Sequence, residues 1–175
     1  MKTLLAACLL LTSMLAQAMP GALRDNGTAA EAWQEWGSGE MRWFGLALYD
    51  ATLYVAGKEV GRAPLALHLR YRRAISRERL VQASIEEMRR MGADAAQLKR
   101  WEAELMRVFP DVASGDSITG IRLPGQGMRF FHQDVARGEI ADPEFGRLFL
   151  AIWLDEKAHS PSLRARLLQG PKAPS

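Results

Sequence analysis

One arginine, two tyrosines, a threonine and a glycine are the residues of this chain whose types and spacing could do chemistry. Arg42 stands at the entrance of the stretch "GSGEMRWFGLALYDATLYV", Gly37 to Val55, and Tyr49 and Tyr54 stand toward its far end. Met41 to Tyr49 reads as a strand. Period 2 then puts Met41, Trp43, Gly45, Ala47 and Tyr49 on one face, and Arg42, Phe44, Leu46 and Leu48 on the other. The first face is hollow in its middle. A glycine inside a strand often marks a close approach by backbone or ligand. An apolar groove with a hydroxyl at one end and an arginine near the other suits an amphiphile carrying a carboxylate, because the guanidinium fork matches carboxylate geometry. Thr119 is a further candidate donor. The hollow has a second explanation: an indole from a helix layer, Trp101 or Trp153, could fill it, since small strand residues facing helices are common packing devices.

Other chemistries lack their residues. There is no G-x-S-x-G elbow for a serine nucleophile. Cys8 is the single cysteine and lies in the leader, so the chain beyond it has no disulfide, thiolate nucleophile or zinc–thiolate site. The three histidines, His68, His132 and His159, have no ligand spacing, so no metal is expected. "GSGE" and "GQG" lack the strand–loop–helix context and the lysine of a phosphate loop, so no nucleotide cofactor is expected either. The net charge is only +3, and pairs such as Arg72-Arg73 and Arg89-Arg90 are interleaved with Glu86, Glu87 and Glu102. A nucleic-acid surface would concentrate basic residues on one face, so a nucleic-acid partner is not expected. The expected partner is a small apolar or amphiphilic molecule, and no catalytic residue is nominated.

The elements that must position these residues follow from periodicity and caps. Lys2, the apolar run Leu4 to Leu15 and Ala16-Gln17-Ala18 have the form of a secretory signal peptide over 1–18, which implies a periplasmic or secreted protein. Residues 19–36 read as a lead-in arm, 37–170 as one domain and 171–175 as a tail. After Tyr49, "ATLYVAG" continues as a second strand, and "LALHLRY" alternates as a half-buried antiparallel one. Ser76 and Asp94 cap two helices that stop at Gly92 and Pro110. "DSITGIRL" and "MRFFHQD" form a hairpin, with Pro124-Gly125 at the centre of a type II turn. Asp142-Pro143 and Ser160-Pro161 start two more helices. The fold class is α+β, an antiparallel sheet with helices layered on one face.

Five segments in this order carry a resemblance: "GSGEMRWFGLALYDATLY", "SRERLVQASIEEMRRMG", "GDSITGIRLPGQGMRFF", "GEIADPEFGRLFLAIWLDE" and "SPSLRARLLQG". Together they resemble the chalcone isomerase-like family, most of all its bacterial exported branch, over about Gly37 to Gly170. The resemblance implies an open-faced β-sandwich with a ligand cleft between a long antiparallel sheet and its helices. It leaves three roles open: ring closure of a chalcone-like substrate, binding of a fatty acid through an arginine and a tyrosine, or a ligand-free structural or protein-interaction module. It nominates Arg42, which follows a Gly-x-Gly segment as the plant enzyme's arginine does, though displaced by one residue. The enzyme's strand threonine falls at Gly45, and the sole asparagine, Asn26, precedes the domain. Both departures favour binding of an apolar carboxylate without turnover.

Overall fold

The structure, a computed structural model, describes residues 19–25 and 32–171; the proposed signal peptide lies outside them. Six antiparallel strands run in sequence order across one sheet. They are β1 (Gln34–Trp43), β2 (Leu46–Val55), β3 (Leu65–Tyr71), β4 (Ser117–Arg122), β5 (Met128–His132) and β6 (Val135–Ile140). Between β3 and β4 the chain makes α2 (Arg77–Arg90) and α3 (Ala95–Val108); after β6 it makes α4 (Pro143–Leu154) and α5 (Pro161–Leu167). Leu53, Leu67, Leu69, Ile118 and Phe130 point from the sheet into one core with Ile85, Met88, Leu105, Phe149 and Leu163 of these helices. This is the α+β layering expected from the sequence.

The helices start where their caps put them. The Ser76, Asp94 and Ser160 side chains each accept a backbone N–H of the first turn, and Asp94 forms a reciprocal capping box with Gln97. Asp142 accepts from the N–H groups of both Glu144 and Phe145, and its other oxygen accepts from Trp101 Nε1 at 2.9 Å. One carboxylate therefore starts α4 and ties it to α3.

Three expectations need correction. Met41–Tyr49 is not one strand: β1 ends at Trp43, Phe44 and Gly45 form a two-residue turn, and β2 begins at Leu46. Both turn residues have positive φ, 46° and 78°, the backbone of a tight hairpin matched to strand twist. Phenylalanine is rare in that conformation, so the alternation hid the turn. The segment 19–36 is not only an arm. It carries α1 (Gly21–Asp25) and the first residues of β1. Ala22, Leu23 and Trp33 pack on the reverse face of the sheet with Tyr54, Ala66, Ile121 and Phe131. The third is the stretch between "MRFFHQD" and the helix at Asp142-Pro143, read with no element in it, which holds β6; four of its six residues are exposed.

Gly37 and Gly39 explain the start of the stretch around Arg42. A Cβ on Gly37 would run into the backbone carbonyl of Arg166 and come within 2.6 Å of that of Leu167. At Gly39 it would meet the side chains of Leu163 and Arg166. The glycines let α5 lie directly on β1, joining the end of the chain to its first strand.

Candidate ligand-binding site

Between the sheet and the helices lies an apolar cavity of about 420 Å³. That is nearly three times the roughly 150 Å³ of an engineered apolar cavity able to hold benzene. Its floor is sheet: Tyr49, Leu67, Leu69, Tyr71, Ile118, Gly120 and Phe130. These residues share a face because each lies an even number of positions from its strand neighbours. The floor has no side chain at Gly120, where a Cβ would crowd Met128 Cε at 2.7 Å. The roof comes from Leu80, Ala83 and Ser84 of α2 and from Phe149, Ile152 and Trp153 of α4. Leu163 of α5 closes one side, and Met41, Trp43, Leu48, Glu86, Glu87, Phe109, His159 and Ser160 complete the lining.

Two phenols are the polar groups of the floor. Tyr49 Oη accepts from Trp153 Nε1 at 3.0 Å, which leaves its own proton free to donate. Tyr71 lies edge-on to it, with ring centroids 5.8 Å apart. Burial pushes the Tyr49 phenol up to about 12, against the lowering effect of the Trp153 bond, and burial raises Tyr71 as well. Both are neutral donors at physiological pH. The charged groups of the lining are paired. Arg90 Nη1 donates to Glu87 Oε2 at 2.8 Å and to His159 Nδ1 at 3.1 Å, so that ring nitrogen accepts. Trp43 stacks on the His159 ring at 4.7 Å.

Of the residues singled out from the sequence, the structure brings only Tyr49 into this cavity. Arg42 lies on the exposed hairpin, where its Nε pairs with Glu40 and its Nη1 donates to the Gly45 carbonyl at 3.1 Å. Gly45 sits in the turn with nothing within 4 Å of a would-be Cβ. Neither indole fills a hollow there: Trp101 is buried between α3 and α4, and Trp153 is part of the cavity roof. Tyr54 and Thr119 are buried on the reverse face of the sheet. Thr119 Oγ1 is 2.9 Å from His68 Nδ1 on the neighbouring strand, a pair that stitches β3 to β4. Sequence reasoning missed Tyr71, although "LALHLRY" places it in phase with Leu67 and Leu69. Among the described residues, no group of three or more His, Cys, Asp or Glu side chains is placed to hold a metal ion. Nor is any described helix long and apolar enough to cross a membrane.

A family model described as chalcone isomerase-like matches residues 37–169. No curated protein matches the chain in sequence. Among solved structures, a fatty-acid binding protein of Arabidopsis thaliana superposes with a TM-score of 0.60 at 10% identity, over 81% of this chain and 88% of that one. At that identity the likeness speaks for the fold. The match over nearly the whole sheet-and-helix unit carries the assignment: the chain belongs to the chalcone isomerase-like family.

Proposed function

We propose that this protein is an exported member of its family, of the bacterial exported branch, and binds a small apolar carboxylate without turning it over. A fatty acid or an aromatic acid fits. The observation that carries the reading is the apolar cavity of about 420 Å³ with two neutral phenols in its floor. An acyl chain or aromatic ring would occupy the space between Leu67, Phe130 and Phe149. Tyr49 and Tyr71 would donate to the acid head. The fatty-acid binding protein of the same fold supports this choice of ligand class. Ring closure of a chalcone-like substrate is less well supported, since no arginine or lysine among the described residues lines the cavity. The leader's sequence supports export to the periplasm.

Displacement of a fluorescent long-chain fatty acid, with native mass spectrometry of the protein from its own host, tests the proposal. Leu67→Trp fills the cavity and should abolish uptake while the circular dichroism stays native. Tyr49→Phe should weaken uptake about ten- to a hundred-fold, the worth of one hydrogen bond to a charged group. Equal uptake by Leu67→Trp, or no uptake by the wild type, would refute it.

A further inference from the structure

The β1–β2 hairpin ends in an exposed apolar tip, of which Trp43 also packs on the His159 ring. Arg42 to Leu46 are all exposed: Phe44 at 90%, Leu46 at 54% and Trp43 at 44%. Phe44 also carries a φ of 46°, a left-handed backbone unfavourable for a bulky residue and suited to asparagine or glycine. Its ring touches only the edge of Trp43 among the aromatic contacts, with centroids 5.3 Å apart. Strain and exposure thus coincide at one aromatic residue. Trp43 belongs to both features at once, standing on the exposed tip and lining the cavity.

We propose that this tip is a membrane-docking element, which seats the cavity mouth against a lipid bilayer. The proposal rests on the cavity holding an amphiphile, because a bilayer is where such a ligand resides. Aromatic residues favour the bilayer–water interface, where an apolar body enters the acyl boundary and a polar edge stays wet. The surrounding charges suit that depth. Arg42 and Arg72 pair with Glu40 and Asp50, and exposed Arg73 adds a cation next to them, so the rim of the tip is slightly positive. Three apolar side chains are too few to bury the roughly 1,200 Å² of a stable protein interface. They are enough for shallow, reversible insertion. The ligand would then pass between bilayer and cavity along Trp43 without crossing water.

Two measurements on the full chain separate this proposal from the binding reading beneath it. The first is uptake of a fluorescent fatty acid from aqueous solution. The second is interaction with vesicles of phosphatidylcholine, with and without phosphatidylglycerol, by co-sedimentation and by quenching with brominated lipid. Phe44→Asn suits the turn's backbone and should leave melting temperature the same or higher and aqueous uptake unchanged, while lowering vesicle binding roughly ten-fold. The quenching should fall in Trp43→Phe, which identifies the indole that enters the lipid even if the leader, which has no tryptophan, is present. Vesicle binding unaffected by Phe44→Asn together with quenching unaffected by Trp43→Phe would overturn the docking proposal. So would concentration-dependent dimerisation abolished by Phe44→Asn, since the tip would then bind a second copy. Aqueous uptake without vesicle binding refutes docking alone. Vesicle binding that depends on Phe44 without any uptake upholds docking and refutes the ligand reading.

Discussion

Replacing Gly37 by alanine should cost far more than the same change at Gly39 or Gly45, and the structure sets the order. At Gly37 the new methyl meets the backbone carbonyls of Arg166 and Leu167, which no rotamer change can move aside. The helix itself must retreat from the sheet. Overpacking of this kind costs about 1–3 kcal/mol, and backbone on both sides puts it at the top of that range. Full loss of α5 docking sets a ceiling, because Leu163 and Leu167 are then uncovered at about 1.5–3 kcal/mol each. At Gly39 the obstacles are Leu163 Cδ1 at 2.9 Å and Arg166 Cδ at 3.0 Å, both on side chains that can yield. There the smaller entropy of the unfolded alanine chain, about 0.4–1 kcal/mol, offsets the crowding, and the change comes out near neutral. At Gly45 the space is open but φ is 78°, so alanine costs about 1 kcal/mol through backbone strain alone. With about 2–4 °C of melting temperature per kcal/mol at this size, Gly37→Ala should melt about 6–12 °C lower. Gly39→Ala and Gly45→Ala should stay within about 4 °C of the wild type. Differential scanning calorimetry on the three variants measures this. A Gly37→Ala midpoint within about 2 °C of wild type would mean that α5 does not lie on β1 as described.

Further outcomes follow from single groups. All three tyrosines have raised phenols, Tyr49 and Tyr54 to about 12 and Tyr71 higher, each chiefly by burial. Unfolded tyrosines ionise near pH 10, so the unfolded chain holds fewer protons above that pH and stability falls as pH rises. Tyrosinate absorbance should therefore appear together with loss of circular dichroism; a separate titration near pH 10 in the folded protein would contradict the burial. His68 is lowered, mainly by burial, with Asp134 opposing and Arg70 assisting. The unfolded chain then binds the extra proton below about pH 6.5, so stability drops as pH falls through that window. His68→Asn, which keeps an acceptor toward Thr119, should flatten the melting-temperature slope between about pH 7 and 5; an unchanged slope would count against it. Asp142→Ala removes the α4 cap and leaves the Trp101 N–H unpaired, for about 2–4 kcal/mol by urea denaturation. Asp142→Asn, still able to accept, should recover at least half of that loss.

What could be read from the sequence was local. Ser76, Asp94, Asp142 and Ser160 act within one helical turn of themselves, so their roles are written in adjacent residues. The alternation of "LALHLRY" likewise fixes which side of β3 is apolar without knowledge of its neighbours. The Phe44–Gly45 turn was illegible because its first residue defies turn chemistry, and an alternation that runs straight through a hairpin looks like one strand. That single misreading put Arg42 and Gly45 at a groove, where the structure has an exposed tip. Tyr54 and Thr119 were nominated and misplaced for a different reason. Their hydroxyls are real, but parity along β2 and β4 sends them to the reverse face, and only the register with β3 reveals which face holds the cavity. Nothing local in "GSG" tells that Gly37 and Gly39 make room for a helix, because that helix comes from the far end of the sequence.

The docking of α5 on β1 has a consequence for the order in which the protein is completed. Every pairing in the sheet joins strands consecutive in the chain, so the meander can zip up as it emerges. The cavity cannot. Leu163 of its wall belongs to the last helix, and that helix rests on the first strand. A chain cut anywhere before Pro161 lacks this wall, whatever else of its sheet has formed. The cavity opens sideways until α5 has docked, so its wall forms later than the sheet that floors it.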